Sequence, residues 1–276
     1  MVDQPRFKDA WNWLELEYDH AAGANETMTF KDHFSGHASD YASSRPHYPP
    51  ALFDWLAVQC ARRTLAWDAG CGNGQAATAL ARHFESVFAS DPSAEQIAAA
   101  EKHPHIRYRV EPAERCSLPD ASADLVTVAQ AMHWFDAARF QAEARRVLVP
   151  GGIFSAWTYA QSRVTPAVDA IFDRLHDHLL NDYWPAGREH VIDGYRTLPF
   201  AFTRFAHVPA FEMRCDWTLP QYLAYLRSWS ASQRYLRETS TDAIALIASE
   251  MSAAWGDPMS CHAVIWPLTL HVGRAD

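Results

Sequence analysis

The sequence predicts an α/β fold that begins with a nucleotide-binding βαβ unit. Three observations within one stretch, residues 65–77, support this prediction. Leu65, Ala66 and Trp67 form a short apolar run typical of a buried strand. Three glycines then leave a loop with almost no side-chain bulk, and a run rich in Ala and Leu follows as a helix. Because glycine permits close approach of a ligand and a helix N-terminus offers unpaired N–H groups, this loop is suited to ligand binding.

Two acidic residues and one absent glycine narrow the class of ligand. Asp91 ends the next predicted strand, roughly twenty positions after the glycines, where a carboxylate holds a ribose diol. Both dinucleotides and S-adenosylmethionine carry a ribose that is bound in this way. The dinucleotide pattern needs a third glycine at the position of Gln75. Asp68, beside the loop, would repel a pyrophosphate but attract the ammonium and sulfonium groups of S-adenosylmethionine.

The same residues resemble the first motif of the class I methyltransferases, in which an acidic residue precedes G-x-G-x-G. Here Asp68 precedes Gly70, Gly72 and Gly74. Residues 41–49 read Tyr-x-x-x-Arg-Pro-x-Tyr-Pro, which resembles the leading segment of the trans-aconitate methyltransferase-like group. Leu-x-Pro-Gly-Gly before the predicted fifth strand is a further shared feature. The chain is therefore similar to the small-molecule, type 11 methyltransferases.

This resemblance implies the architecture of the chain. It covers residues 28–276 and implies a Rossmann-like, seven-stranded, mostly parallel sheet with helices on both faces. The implied strand order is 3-2-1-4-5-7-6, with the last strand antiparallel. Segments at about 160–200 and 219–257 would form a helical cap. Residues 1–27 form an extension whose role stays open between packing on the fold and mediating a dimer.

Hydrophobic patterning places the elements of this fold in order. The predicted strands are residues 65–67, 86–90, 106–110, 125–129, 153–157, 208–217 and 262–272. The predicted helices are residues 50–62, 75–84, 93–103, 139–148, 165–180, 219–236 and 241–255. Residues 182–198 are loop-rich. His176 and His178 lie two positions apart and do not share a helix face, which argues against a metal pair.

The resemblance implies S-adenosylmethionine as the cofactor and S-adenosylhomocysteine as its product. The predicted cofactor-binding residues are Asp68, Gly70, Gly72, Gly74, Asp91, Ala113, Glu114 and Gln130. In the family, the pair at the position of Ala113 and Glu114 flanks the adenine, although Glu114 could equally be a surface acid. Gln130 begins the segment Gln-Ala-Met-His-Trp-Phe, which resembles the fourth motif of small-molecule methyltransferases.

His133 and Trp134, in that same segment, are the predicted catalytic residues. Three roles for His133 stay open: a general base, a hydrogen-bond partner of an ionised acceptor, or a solvent-facing loop residue. The segment lacks the Asn/Asp-Pro-Pro-aromatic motif with which nucleic-acid methyltransferases hold a flipped base. The predicted acceptor is therefore a small molecule.

A carboxylic acid methylated on oxygen is the predicted acceptor. Its predicted contacts are Tyr41, Arg45, Tyr48, Trp229, Gln233 and Arg234. Arginine can clamp a carboxylate with two parallel hydrogen bonds, and an ionised carboxylate needs no strong base. Arg45 could instead bind the methionine carboxylate of the donor, which would leave Arg234 as a surface cation.

Composition limits the remaining classes of function. The chain has 276 residues, of which 49% are hydrophobic and 21% charged, as is ordinary for a soluble globular protein. Its net charge of −9 argues against a nucleic-acid partner. Five scattered cysteines without C-x-x-C argue for a reducing compartment and against a zinc site. No apolar run is long enough to span a membrane.

We therefore expect a cytoplasmic monomer or homodimer with a small-molecule acceptor and no metal. Two alternatives to a methyltransferase remain. One is a non-catalytic module that binds S-adenosylmethionine. The other, disfavoured by Gln75 and Asp68, is an NAD-dependent oxidoreductase.

Overall fold

A mostly parallel sheet lies at the centre of the molecule, which a computed structural model describes from residue 46 to residue 276. Its strands are β1 (Leu65–Ala69), β2 (Ser86–Asp91), β3 (Ile106–Val110), β4 (Ala123–Ala129), β5 (Leu148–Thr158), β6 (Thr203–Arg204), β7 (Phe211–Trp217) and β8 (His262–Arg274). They are hydrogen-bonded in the order β3-β2-β1-β4-β5-β8-β6, and β7 also pairs with β8. Strands β1 to β5 are parallel, and β8 is antiparallel to β5.

This topology confirms the predicted Rossmann-like sheet, with one difference in the number of strands. The predicted sixth strand corresponds to β7, which pairs with the first half of β8. The two-residue strand β6 pairs with the other end of β8. The sheet therefore has eight strands within the described residues, instead of the seven predicted.

The central strands form because their sequences are apolar enough to be covered on both faces. All five residues of β1 are buried, as expected for a strand in the middle of a parallel sheet. Because β1, β2, β4 and β5 run in the same direction, their carboxyl ends meet at one edge. We call this the carboxyl edge of the sheet.

Helices cover both faces of the sheet. They are α1 (Pro50–Gln59), α2 (Gln75–Leu80), α3 (Ala94–Ala98), α4 (Ala137–Val147), α5 (Pro166–Arg174), α6 (Arg188–Ile192), α7 (Leu219–Arg227), α8 (Ser230–Thr239) and α9 (Ala243–Trp255). One core cluster includes Leu52 of α1 and Leu80 of α2, and a second includes Phe140 and Val147 of α4. Helices α5, α7, α8 and α9 form a cap, in which α9 packs on the other three.

The prediction of one continuous helix over residues 219–236 is wrong. Helix α7 ends at Arg227, and Trp229 is in an extended conformation before α8 begins. The indole of Trp229 is buried against the rings of Phe172 and His176. The break between the two helices therefore falls at the residue whose ring is buried in the cap.

Three of the predictions fall outside the described residues. These are the extension over residues 1–27 and the acceptor contacts Tyr41 and Arg45. Among residues 46–276, no helix combines the length and the apolar character that crossing a bilayer requires.

Candidate active site

The glycine loop between β1 and α2 adopts a backbone that favours glycine. Gly70 and Gly74 have φ values of +66° and +87°. A Cβ atom on Gly70 would lie 2.7 Å from the Cβ of Ala131. A Cβ atom on Gly74 would lie 2.9 Å from the ring of Tyr108. Packing against the protein therefore explains these two glycines.

Gly72 differs from its two neighbours because the protein leaves space beside it. Its φ is +54°, yet the only described atom within 4 Å of a Cβ placed there is the side-chain oxygen of Gln96, at 3.7 Å. The amide of Gly72 donates a hydrogen bond of 2.9 Å to Oδ2 of Asp91. Oδ1 of Asp91 accepts a second bond, also 2.9 Å, from the amide of Ser93. The acid at the end of β2 thus lies directly against the open side of the loop.

Asp68 lies in β1 beside this loop and is fully buried. Its Oδ1 accepts a hydrogen bond of 3.0 Å from the hydroxyl of Thr127, and its Oδ2 has no partner among the described residues. Burial, with a smaller contribution from the charge of Asp91, raises the pKa of Asp68 to about 7. A buried, half-satisfied carboxylate is stabilised by a cation placed beside it.

The predicted adenine-binding pair follows β3, as expected, but its acid is already bonded. Ala113 is buried. Oε1 of Glu114 accepts a hydrogen bond of 2.8 Å from the amide of Asp136. Glu114 therefore ties the turn after β3 to the segment that follows His133 and Trp134.

Gln130 joins the carboxyl ends of β4 and β5. Its side-chain oxygen accepts from the hydroxyl of Thr158 at 2.6 Å and from the amide of Tyr159 at 3.0 Å. Its side-chain nitrogen donates to the carbonyl of Tyr159 at 2.8 Å. The residue has a φ of +57°, which is uncommon outside glycine. Most of its hydrogen-bonding capacity therefore goes to holding the carboxyl edge together.

His133 lies at the same edge, largely removed from solvent. Its Nδ1 forms a hydrogen bond of 3.0 Å with the hydroxyl of Tyr195, a buried residue with a φ of +62°. Burial, assisted by the charges of Arg188 and His190, lowers the pKa of His133 to about 3. His133 is consequently neutral at physiological pH, and it is not a solvent-facing loop residue.

A small cavity of about 90 Å³ opens beside His133. Five aromatic residues line it: Trp134, Tyr159, Trp184, Tyr225 and Trp229. Among the described residues that line it, Arg188 is the only lysine or arginine. We call this the aromatic cavity.

Of the predicted acceptor contacts in the described range, the structure places Trp229 in this cavity and Tyr48 elsewhere. The ring of Tyr48 packs edge-on against Trp157 at 5.5 Å between centroids. It also lines a separate, more open cavity of about 480 Å³ beside α2. Tyr48 is therefore not one of the residues that line the aromatic cavity.

Gln233 and Arg234 also lie away from the aromatic cavity. The side chain of Gln233 donates to the carbonyl of Arg227 at 2.8 Å. The guanidinium of Arg234 donates to Glu238 at 2.7 Å, one helical turn along α8. The expectation was that one face of a cap helix carries both side chains to the carboxyl edge. In the structure α8 includes both residues, but these side chains bond within the cap.

Sequence reasoning missed several of the residues that line the cavity, among them Arg188, Tyr159, Trp184 and Tyr225. Arg188 begins α6 in the segment predicted to be loop-rich, directly after Gly187, whose φ is +87°. A Cβ atom on Gly187 would lie 3.2 Å from the carbonyl oxygen of His133. A glycine and an arginine close behind Trp184 and Pro185 were the available signal, because glycine permits this close approach to another segment.

A parallel sheet with a glycine loop after β1 and an acid at the end of β2 is the architecture of Rossmann-like enzymes that bind nucleoside-containing ligands. A family profile described as a methyltransferase domain matches residues 67–156. A Dictyostelium discoideum protein named as a methyltransferase is 30% identical over 230 residues, covering 82% of this chain and 87% of that protein. CRG1 of Saccharomyces cerevisiae, named as an S-adenosylmethionine-dependent methyltransferase, is 26% identical over 73% of this chain and 81% of its own length.

A solved structure from Anaeromyxobacter dehalogenans, described as a type II methyltransferase, shows the same fold. It is 48% identical, with a TM-score of 0.80, and the match covers 84% of this chain and 98% of that one. The chain therefore belongs to the class I S-adenosylmethionine-dependent methyltransferases, and S-adenosylmethionine is its methyl donor. The methyltransferase prediction is therefore supported over the two alternatives, an NAD-dependent oxidoreductase and a non-catalytic binding module. The trans-aconitate methyltransferase-like subgroup stays a prediction.

The described residues fit this donor. The buried Oδ2 of Asp68 has no hydrogen-bond partner among residues 46–276 and suits a cationic ligand. Among residues 46–276, the atom nearest to a Cβ placed on Gly72 is the side-chain oxygen of Gln96, at 3.7 Å, which leaves room for a ligand. Asp91 presents a carboxylate next to that space. Among the residues that the structure describes, no group of three or more His, Cys, Asp or Glu side chains could hold a metal ion.

Proposed function

We propose that this enzyme transfers a methyl group to a carboxylate oxygen of a small molecule that binds in the aromatic cavity. The observation that carries the proposal is the guanidinium of Arg188 among the aromatic side chains of that cavity. An arginine in such surroundings is a strong partner for a carboxylate, because its hydrogen bonds are charge-assisted and poorly screened.

The volume of the cavity supports a small acceptor. About 90 Å³ is the space of roughly three water molecules in the liquid, enough for a carboxylate and a short carbon chain. The cavity lies at the carboxyl ends of β4 and β5, where ligands bind in open α/β sheets. Its aromatic wall would cover the apolar part of such a molecule.

The protonation state of His133 supports an acceptor that arrives ionised. With a pKa of about 3, His133 is a weak base. A phenol or an ammonium group loses its proton only near pH 10, so methylating it calls for a stronger base. A carboxylic acid is already ionised at neutral pH and requires no proton transfer. His133 then acts as a neutral hydrogen-bonding group beside the acceptor, with Trp134 forming part of the wall.

On the donor side, we assign the predicted cofactor residues as follows. Asp68 stabilises the positive charge of the donor, Gly72 allows it to approach the loop, and Asp91 holds the ribose hydroxyls. Ala113 and Glu114 flank the adenine, while Gln130 fixes the edge between donor and acceptor. When bound, S-adenosylmethionine supplies a methyl group already activated by its sulfonium. The protein residues orient the two reactants, which contributes up to about 7–11 kcal/mol of the barrier reduction.

Methyl transfer from labelled donor to a panel of short carboxylic acids, with their amides, phenols and amines alongside, tests this proposal. An Arg188→Met substitution should raise KM for the preferred acid by about ten- to a hundredfold, the cost of a hydrogen bond to a charged group. Affinity for the donor should stay within about twofold, since Arg188 lines the acceptor side.

Two further measurements test the assignment of the carboxylate to Arg188: a substitution of Arg234 and a comparison of acids with neutral acceptors. Arg234→Met removes the cation that the sequence alone favoured, and a rise in KM confined to that variant would reassign the carboxylate to α8. Preference for neutral phenols or amines over every acid in the panel would rule out the carboxylate proposal. Arg45, outside the described residues, stays a prediction.

A further inference from the structure

The guanidinium of Arg188 is held by a buried histidine from another part of the chain. His176 is 2% exposed and lies in the π-helical turn Leu175–Leu179 that follows α5. Its Nε2 lies 3.1 Å from Nη2 of Arg188, and its Nδ1 lies 2.5 Å from Oδ1 of Asp177. Neither His176 nor Asp177 is among the residues assigned to the donor.

We propose that His176 and Asp177 are positioning residues that fix Arg188 in the aromatic cavity and thereby determine selectivity for an anionic acceptor. This inference rests on the proposed function. The carboxylate of Asp177 orients the imidazole, the imidazole orients the guanidinium, and the guanidinium receives the acceptor's negative charge.

The donor and acceptor chemistry of these groups allows one arrangement. An arginine guanidinium only donates hydrogen bonds, so Nε2 of His176 must accept from Arg188 and carry no proton. A neutral imidazole then carries its proton on Nδ1, where Oδ1 of Asp177 accepts it. The pair therefore specifies both the tautomer of His176 and the direction of the bond to Arg188.

Aromatic contacts fix the planes of the same groups. The guanidinium carbon of Arg188 lies 4.5 Å from the ring centroid of Trp184. The ring of His176 is 4.8 Å from that of Trp184 and is stacked on Phe172 at 5.9 Å with an interplanar angle of 9°. Arg188 is thus held through its face by Trp184 and through its edge by His176, which reduces the conformational freedom lost when a ligand binds.

The electrostatic surroundings keep His176 neutral, as this arrangement requires. Burial lowers the pKa of His176, and the charge of Arg188 adds to this effect, while Asp177 and, more weakly, Asp173 oppose it. A protonated His176 would present an N–H to the guanidinium and lose the bond that orients it.

A His176→Phe substitution separates positioning from packing, because phenylalanine retains the ring contacts but removes both nitrogens. Butyrate and its neutral analogue butyramide are titrated by NMR into protein saturated with S-adenosylhomocysteine. Butyrate affinity should fall about five- to tenfold, the effect of one ordinary hydrogen bond, and butyramide affinity should change less than twofold. His176→Gln, whose amide oxygen can accept from Arg188, should recover part of the loss.

His178→Phe is the matched control, because His178 is exposed on the same turn. It should leave both affinities unchanged. Equal losses of butyrate and butyramide in His176→Phe would show a merely structural role and overturn the proposal. If Arg188→Met weakens butyrate while His176→Phe does not, the positioning pair is wrong although the proposed function stands. If Arg188→Met has no effect on butyrate, the proposed carboxylate contact itself is wrong.

Nitrogen-15 NMR of histidine-labelled protein gives a readout that does not depend on any acceptor. The signal that disappears in His176→Phe should belong to a neutral ring protonated on Nδ1. A ring protonated on Nε2 would contradict the proposal, because that nitrogen could not accept from Arg188.

Discussion

The two halves of the proposed active site, the donor side and the acceptor side, are built in different ways. On the donor side, Asp68, Gly72 and Asp91 come from a single βαβ unit, and backbone hydrogen bonds hold them close together. The aromatic cavity draws its lining from residues 130 to 230, on segments separated by whole helices and strands. The donor side is therefore a local structure, whereas the acceptor side depends on how the cap packs on the sheet.

This difference indicates which substitutions should affect which ligand. Changes in the glycine loop should act on the donor and leave the cap intact. Changes around Arg188 should act on the acceptor and leave donor affinity unchanged. An effect that crosses from one side to the other would contradict this division.

The largest effect is expected for Gly72→Val. No atom of the described residues lies closer than 3.7 Å to a Cβ atom placed on Gly72, so the branched side chain would occupy the place proposed for the donor. Donor affinity, measured by calorimetry, should fall more than about a hundredfold, equivalent to about 2.8 kcal/mol. Circular dichroism should show the fold retained.

Backbone strain is the competing explanation, and Gly151→Val controls for it. Gly151 also has a positive φ, +76°, and a Cβ atom there meets nothing within 4 Å. It lies in the turn within β5, away from the carboxyl edge. Both variants should lose similar stability, but only Gly72→Val should lose donor affinity. Normal donor binding by Gly72→Val would show that this loop is not the donor loop.

A pH dependence of donor binding is the next largest effect. With a pKa of about 7 in the free protein, Asp68 must release a proton before it can face a cationic donor. Affinity should therefore rise by about fiftyfold between pH 5 and pH 7, and calorimetry at pH 6 should detect release of close to one proton. The same raised pKa makes the free protein less stable as pH rises from about 4 to about 7, because the unfolded chain ionises first.

Asp68→Asn should remove the dependence of donor affinity on pH, since the amide does not titrate. Its affinity should be nearly constant from pH 5 to pH 7 and lower than that of the unmodified protein at pH 7. A slope that survives in Asp68→Asn would assign the titration to another group.

The contacts among the proposed donor-side residues could be predicted from the sequence because they are short-range. A strand, three glycines and an acid at the end of the next strand already define which atoms meet, once the parallel sheet is assumed. The observed bond from the amide of Gly72 to Asp91 follows from that geometry.

The acceptor side could not be predicted in the same way. Periodicity favoured a helix through Trp229, because a pattern of apolar residues does not show that one ring must be buried against Phe172 and His176. Arg234 was expected at the carboxyl edge because it shares a face with Gln233 on a helix of the predicted cap. Arg188 was overlooked in a segment without helical or strand periodicity, and only tertiary packing brings it beside His133.

The smallest effect concerns His133, whose role the sequence left open. Burial, assisted by the charges of Arg188 and His190, holds its pKa at about 3. Its ring nitrogen also bonds to Tyr195, more than sixty positions later in the chain. His133 stays neutral from pH 6 to pH 9, so it should contribute no ionisation to the rate in that range.

His133→Asn should lower kcat for an acid acceptor about three- to tenfold, the effect of one neutral hydrogen bond, by the same factor at every pH. His207→Asn, at an exposed position, is the control and should match the unmodified protein. The contrary result would be an ionisation near neutral pH in the pH–rate profile of the unmodified protein that is absent from His133→Asn. It would identify His133 as a general base. The acceptor would then be a group that must lose a proton, which a carboxylic acid at neutral pH is not.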